Sequence, residues 1–348
     1  LENLEFLEMK KNFFMQRAIQ IAKNGLGYTS PNPMIGCVIE KDGYIISEGW
    51  YRGRDHAEIE AINRVKHKSL LTKSTLYVTL EPCYYVNNNL SCIDLIIRNE
   101  IPRVVIGIKN PCKKNAGLGI KKLKYFGIEV IENLLENQCR ILNKRFFSFH
   151  EKKRPYIILK WGQSYNGFMY SFMKKKTDFP MVKNISFSRQ LNFKWRTEED
   201  SFLVEGESLL NDNQLIDYKY FGNNSIRIIL DRDLKISTFS LKEKKETIVF
   251  TKKKKENKTN INFVQISFNR DKIKDIINYL YKKNILSLIV EGDQKTLNSF
   301  IKNNYWDESR IFIFHFFLKK GIHSPLINGK IIKYFYLGKD KVFFYKKI

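Results

Sequence analysis

Thr75-Leu76-Tyr77-Val78-Thr79-Leu80-Glu81-Pro82-Cys83 is an apolar run of strand length that stops on a proline and a thiol. Its β-branched and aromatic members predict a buried strand over Thr75–Leu80, ended by Glu81-Pro82-Cys83. Upstream, Ile35–Ile39, the turn Lys41-Asp42-Gly43 and the run Tyr44–Ser47 read as a hairpin. The turn chemistry of Thr29–Pro33 and an amphipathic helix over Met9–Gly25 precede it, and a further helix is expected from His56 to about Lys66. Downstream, a helix over Cys92–Asn99, a strand over Arg103–Ile108, a helix over Leu118–Phe126, a strand over Ile128–Ile131 and a helical stretch over Glu132–Phe149 follow one another. Alternation of this kind argues an α/β layered domain.

The basic stretch Glu151-Lys152-Lys153-Arg154-Pro155 marks a boundary, giving expected domains of 1–150 and 151–348. In the second, strands are predicted at Tyr156–Trp161, Ser201–Val204, Ile226–Leu230, Thr247–Phe250, Ile285–Val290 and Arg310–Phe317. Helices are expected near Ser188–Thr197, Asp271–Lys283 and Lys295–Asn303, so this half is α/β as well. The Lys-rich segment Lys242–Asn260 reads as a solvated hairpin or loop flanking one strand. A chain of 348 residues suits two domains of ordinary size.

No apolar stretch approaches the ~18 residues of a membrane span, and Leu1–Glu8 lacks the basic and apolar regions of a secretory signal. A cytoplasmic location without membrane contact is expected. The five cysteines, an odd number in a large chain, suit reduced thiols and metal ligation better than a disulfide framework. The net charge of +25 raises nucleic acid as a partner, but the lysines are scattered without a regular basic-aromatic spacing. The same charge would attract phosphorylated small molecules.

Three groups converge on one chemistry: His56-Ala57-Glu58 at a helix start, Cys83 after a buried strand, and Cys92 nine positions on. One imidazole and two thiolates make three zinc ligands and leave a fourth position for water, the mark of a catalytic site. Glu58 is then the proton shuttle of a hydrolytic deamination, taking the water's proton and delivering protons to a ring nitrogen and the departing amine. Cys37, Cys112 and Cys139 lack partners at ligand spacing and read as core or surface thiols.

With these residues in place, the chain resembles the bifunctional riboflavin-biosynthesis deaminase-reductases over nearly its whole length. The matching motifs are Pro31-Asn32-Pro33, Ile35-Gly36-Cys37-Val38, His56-Ala57-Glu58, Tyr77 through Cys83, and Ala116-Gly117 with Gly119. The eight residues between Cys83 and Cys92 suit this family, whereas cytidine and tRNA-adenosine deaminases look like Pro-Cys-x-x-Cys. Further matches are Pro155-Tyr156 through Leu159-Lys160, Gly162, Ser164, Gly167, Lys194-Trp195-Arg196, Asp212-Asn213, Arg227 through Asp231, and Val290-Glu291-Gly292.

The resemblance implies a cytidine-deaminase-like α/β/α layer followed by a dihydrofolate-reductase-like α/β domain. It implies zinc-dependent deamination of 2,5-diamino-6-(5-phosphoribosylamino)pyrimidin-4(3H)-one, then NADPH-dependent reduction of the ribosyl chain to ribityl. It places NADPH near Gly162, Ser208, Asp212, Gly292 and Asp293, and substrate near Asn32, Arg196, Lys219 and Glu291. The implied partner is a phosphorylated aminopyrimidine, and a homo-oligomer stays open. The alternatives are a nucleic-acid editing deaminase and a zinc-stabilised binding protein without catalysis. Departures from the family pattern fall at Tyr84–Ser91 between the cysteines, at Asn166 and Phe168, near Val182, and at Asp293 in place of a second glycine.

Overall fold

A computed structural model describes residues 2–84, 91–112, 116–170, 185–206, 225–236, 246–269 and 272–348. They fall into two compact units, Leu1–Lys153 and Arg154–Ile348.

In the first unit, α1 (Glu2–Ala22) precedes the hairpin β1 (Gly36–Lys41) and β2 (Tyr44–Trp50), then α2 (Ala57–Arg64) and β3 (Thr75–Val78). α3 (Cys92–Arg98), β4 (Arg103–Ile106), α4 (Leu118–Tyr125), β5 (Glu129–Ile131), α5 (Glu136–Leu142) and α6 (Lys144–Lys152) complete it. The sheet order is β2-β1-β3-β4-β5, antiparallel through β3 and parallel from β3 to β5. Both faces of β3 are buried, as its unbroken apolar run requires. On one face Leu76 and Val78 pack with Ile62, Ile93 and Leu123; on the other Tyr77 meets Phe14 and Met15 of α1.

The stretch expected as one helix over Glu132–Phe149 is two helices meeting at Asn143. The carboxamide of Asn143 accepts from the Met34 N–H at 2.8 Å and donates to the Met34 carbonyl at 2.8 Å. A buried amide that pairs both ways with another segment's backbone fixes the break.

The second unit carries β6 (Tyr156–Ser164), β7 (Met169–Tyr170), α7 (Ile185–Glu198), β8 (Ser201–Glu205), β9 (Ile226–Leu230), β10 (Thr247–Thr251) and β11 (Ile261–Gln265). There follow α8 (Lys272–Lys282), β12 (Ser287–Glu291), α9 (Gln294–Lys302), β13 (Glu308–Phe314), β14 (Gly329–Leu337) and β15 (Asp340–Lys347). The sheet order is β11-β10-β9-β8-β12-β6-β13-β15-β14, with β7 paired to β6. All pairs from β11 to β13 are parallel, and the β14–β15 hairpin closes one edge antiparallel.

Two apolar layers cover the sheet, one built on Leu159, Leu203, Val290 and Phe300, the other on Ile158, Phe202, Ile289 and Phe312. β10 and β11 pair parallel, so Lys252–Asn260 between them is a solvated loop and not a hairpin. The chain runs outward from β8 to β9 but from β12 across β6 to β13, so a topological switch lies between β8 and β12. In doubly wound sheets ligands bind outside the carboxyl ends of strands at such a point. Among the described residues, no helix is long and apolar enough to cross a membrane.

Candidate metal centre and reductase crevice

His56 is the residue before α2, with extended backbone, and its carbonyl accepts the helix's first hydrogen bond from Glu60 at 3.0 Å. Helix α2 can lie against β2 because residue 49 is glycine: a Cβ there would stand 2.3 Å from the Ala57 carbonyl oxygen. Cys83 follows the end of β3, and Cys92 opens α3, where Ser91 caps the helix by accepting from Asp94 N–H at 3.1 Å. Strand end, helix start and helix cap thus bring three donors together.

The ligand atoms of His56, Cys83 and Cys92 all lie within 4.8 Å of one another, with His56 Nδ1 3.2 Å from Cys92 Sγ. A tetrahedral zinc with bonds of about 2.0–2.3 Å spaces its donors by roughly 3.5 Å, so the three fit that ion. Backbone adds to the case, since the Cys92 N–H donates to Cys83 Sγ at 3.3 Å. The hydrogen bond from Cys92 and the neighbouring His56 pull the Cys83 thiol down to about 4 against burial, a thiolate at neutral pH. Cys92, which shares its hydrogen bond with Cys83 and is buried, is pushed up in the absence of a metal.

Glu58, in the first turn of α2, is 1% exposed and its Oε2 has no hydrogen-bond partner among the described residues. Burial, helped by the Cys83 charge, pushes its carboxyl up to about 7. A buried carboxyl with a free oxygen and a pKa near neutrality is the form a proton shuttle needs. The sequence reading missed two groups here. Tyr51 accepts a hydrogen bond from Asn32 Nδ2 at 2.9 Å and sets its ring edge-on to His56 at 5.7 Å. Glu81 Oε2 accepts from the Asn110 and Gly117 N–H groups at 3.2 and 3.0 Å, tying the segment before α4 to the end of β3. An acidic residue beside Pro82 at a strand end was the available signal for Glu81. For Tyr51 there was none.

Cys37 and Cys139 are buried core thiols, Cys112 is half-buried, and none joins the metal group. The intercysteine loop is described only at Tyr84 and Ser91, so the departures at 85–90 lie outside the described residues, as does Val182.

In the second unit, Arg196 near the end of α7 donates through Nε and Nη2 to Glu291 at 2.8 and 2.6 Å. Lys160 of β6 reaches the same carboxylate at 2.8 Å and also donates to Asn192. The resemblance places both Arg196 and Glu291 near the substrate; the structure joins the two to each other, with Arg196 6% exposed. Burial works to raise the Glu291 carboxyl, but Arg196 and Lys160 together hold it down at about 2. Burial draws the Lys160 ammonium down to about 7 despite Glu291.

Gly292 and Asp293 occupy the switch point. A Cβ on Gly292 would stand 2.7 Å from the Thr296 side chain, so the turn into α9 is closed to any other residue. Asp293 caps α9 by accepting the Thr296 N–H at 2.8 Å, and the Glu205 carboxyl, raised to about 7 chiefly by burial, accepts from Thr296 Oγ1. The close turn and helix N-terminus fit the phosphates of a dinucleotide, while Asp293 adds one negative charge beside them. Gly162 lies in β6, where a Cβ would meet the Phe314 ring at 2.6 Å, so packing alone accounts for this glycine. Ser208, Asp212 and Lys219 lie outside the described residues.

Two family descriptions match the chain: the cytidine and deoxycytidylate deaminase zinc-binding region over residues 8–108, and the RibD C-terminal domain over residues 155–330. A riboflavin biosynthesis protein RibD from Aquifex aeolicus is 33% identical over 98% of this chain and 99% of its own length. The chain belongs to the RibD family. A RibD-type structure from Thermotoga maritima, described as a diaminohydroxyphosphoribosylaminopyrimidine deaminase/5-amino-6-(5-phosphoribosylamino)uracil reductase, is 30% identical. It covers 98% of this chain and 99% of its own, with a TM-score of 0.85. A diaminohydroxyphosphoribosylamino-pyrimidine deaminase from Buchnera aphidicola matches 40% of this chain at 41% identity, over 95% of that protein. The metal-cluster half therefore has a counterpart that is nearly a whole protein.

Proposed function

We propose that the first domain, 1–150, hydrolytically deaminates 2,5-diamino-6-(5-phosphoribosylamino)pyrimidin-4(3H)-one. The second, 151–348, then reduces the ribosyl chain with NADPH to give 5-amino-6-(5-phosphoribitylamino)uracil, on the route to riboflavin. The observation that carries this reading is Glu58, buried beside the His56–Cys83–Cys92 cluster with an oxygen that has no hydrogen-bond partner among the described residues.

His56, Cys83 and Cys92 are the zinc ligands. Zinc, when bound, brings the pKa of its water close to neutrality. Glu58 Oε2 accepts a proton from the attacking water and returns it to the ring nitrogen; a second proton passes to the exocyclic amine. The carbon–nitrogen bond then breaks, leaving a carbonyl and ammonia. Asn32, fixed by Tyr51, presents its carboxamide to the substrate, and burial of Glu58 and Cys92 keeps bulk water from competing.

In the second domain Gly292, Asp293 and the first turn of α9 are assigned to NADPH, with Gly162, Ser208 and Asp212. NADPH, when bound, supplies the hydride. Glu291, the end residue of β12, is assigned to a ribose hydroxyl, and Lys219 to the phosphate. Arg196 and Lys160 both pair with Glu291 and hold it ionised, which makes Arg196 a positioning residue for it. A homo-oligomer and a cytoplasmic location remain part of this reading.

The test is purified protein with the diaminopyrimidine ribosyl phosphate, following ammonia release and NADPH oxidation separately. Both signals are expected, ammonia first. Zinc content without turnover would favour a binding protein, and deamination of a polynucleotide would favour an editing enzyme.

A further inference from the structure

The crevice assigned to NADPH holds a carboxyl that the reading of that site leaves unused. Glu205 is the last residue of β8, and across the switch point Glu291 stands opposite its neighbour Val204. Successive side chains of a strand point to opposite faces. Val204 belongs to the apolar layer of Phe202 and Phe312, whereas Leu203 belongs to that of Val290, Leu297 and Phe300. Glu291 therefore shares the first face with Arg196, and Glu205 turns to the second, the face that α9 covers.

The contacts agree with that placement. Glu205 Oε1 accepts from Thr296 Oγ1 in the first turn of α9, and a Cβ on Gly292 would stand 3.6 Å from the same oxygen. Asp293, whose carboxylate caps α9, also meets the Glu205 side chain in a carboxyl–carboxylate hydrogen bond. Such a bond exists only while one of the two acids keeps a proton.

The charges around the two glutamates are unequal. Glu291 has Arg196 and Lys160 in contact. Glu205 is in no ion pair among the described residues, and Lys272 at the start of α8 acts on it only through space. On the β9 side Asp231 approaches Gly206, but its carboxylate is taken up by the Lys235 and Ile236 N–H groups at 2.9 Å each. Burial raises the Glu205 carboxyl to about 7, with Asp293 adding to the rise and Thr296 and Lys272 opposing it. A dinucleotide phosphate arriving at the Gly292 turn brings further anionic charge beside this pair. Ionised Glu205 repels it and holds the Thr296 hydroxyl proton; protonated Glu205 carries no charge and frees that hydroxyl to donate to the phosphate.

We propose that Glu205 sets the affinity of this crevice for its dinucleotide through a bound proton: the carboxyl between Thr296 and Asp293 takes up a proton as the cofactor's phosphates enter, and repels them when ionised. This role rests on the assignment of NADPH to the Gly292 crevice and adds to it the residue that makes binding depend on pH. Binding is tightest where Glu205 is already protonated and weakens as pH rises past the point where the free protein loses that proton.

NADPH titrated calorimetrically into the full-length zinc-loaded protein, from about pH 7 to about pH 8.5, tests this. The ligand's own phosphates stay ionised over that range, because a phosphomonoester loses its second proton near 6. Across it the wild-type Kd should rise by ~5- to 15-fold, and near pH 7.5 the binding heat should vary with the buffer's ionisation enthalpy in the sense of proton uptake. Glu205→Gln, a neutral isostere, should bind at every pH at least as tightly as wild type does at the acid end, with the slope and the proton uptake gone. Asp293→Asn keeps a capping side chain and removes the charge, so the weakening should set in at lower pH. NADPH binding with a pH-independent Kd in wild type, or an unchanged slope in Glu205→Gln, would overturn the role of Glu205 while leaving the NADPH assignment in place. No saturable NADPH binding at any of these pH values, in wild type or in Glu205→Gln, would take down both.

Discussion

Two buried glutamates, one in each unit, sit at opposite extremes. Glu58 has an oxygen without a partner among the described residues and a carboxyl lifted to about 7, whereas Glu291 is clamped by Arg196 and Lys160 and held at about 2. Burial penalises both charges equally in kind; the difference is what stands opposite. A carboxyl with a free oxygen can carry a proton at neutral pH. One saturated by two cations stays an anion and can only orient its neighbours. Of these two glutamates, the first can carry a proton and the second is a fixed charge.

The largest effect should come from removing a thiolate from the cluster. Cys83→Ser is expected to lose zinc, read by metal analysis, and to drop ammonia release to background while the second unit keeps its fold. Next, Arg196→Ala leaves Glu291 buried with one cation instead of two. Urea unfolding followed by tryptophan emission should show a loss of ~3–5 kcal/mol. Three of the four tryptophans, Trp161, Trp195 and Trp306, report on that unit. An unchanged midpoint would mean the clamp contributes nothing.

Acid sensitivity sharpens the contrast further. With its folded pKa near 2 below the ordinary 4.5, Glu291 contributes stability that is complete above about pH 4.5 and is lost as pH falls through 2. Lys160 titrates the other way round: its lowered value of about 7 makes its protonated form costly below 7, and the cost is relieved as pH rises towards 10.5. Glu291→Gln should flatten the acid limb of the tryptophan-detected stability curve, and a limb as steep as wild type would contradict the assignment. The smallest effect belongs to Tyr51→Phe. It keeps the ring beside His56 but frees the Asn32 amide, at a cost of ~0.5–1.5 kcal/mol. That should appear as a rise in KM for the deamination of roughly 2- to 12-fold with kcat near wild type.

How much of this could be read from sequence depended on locality. The strand before Cys83, the hairpin over residues 35–47 and the helix start at His56 are set by neighbouring residues, and all were legible. The break at Asn143 was not, because its cause is Met34, more than a hundred positions away. The β14–β15 hairpin escaped because lysines interrupt its aromatic alternation, and β11 because a short parallel edge strand carries little periodic signal. In the site, the zinc group was legible because its residue types are rare and chemically matched. Lys160 hid inside an apolar strand, and the Arg196–Glu291 pair joins two motifs 95 positions apart.

The most direct test of the account is Glu58→Gln, assayed with the diaminopyrimidine ribosyl phosphate for ammonia and with the deaminated compound for NADPH oxidation. Zinc should stay bound, NADPH oxidation should match wild type, and ammonia release should fall by ~10²- to 10⁴-fold. Ammonia release at the wild-type rate in a zinc-loaded Glu58→Gln protein would contradict it.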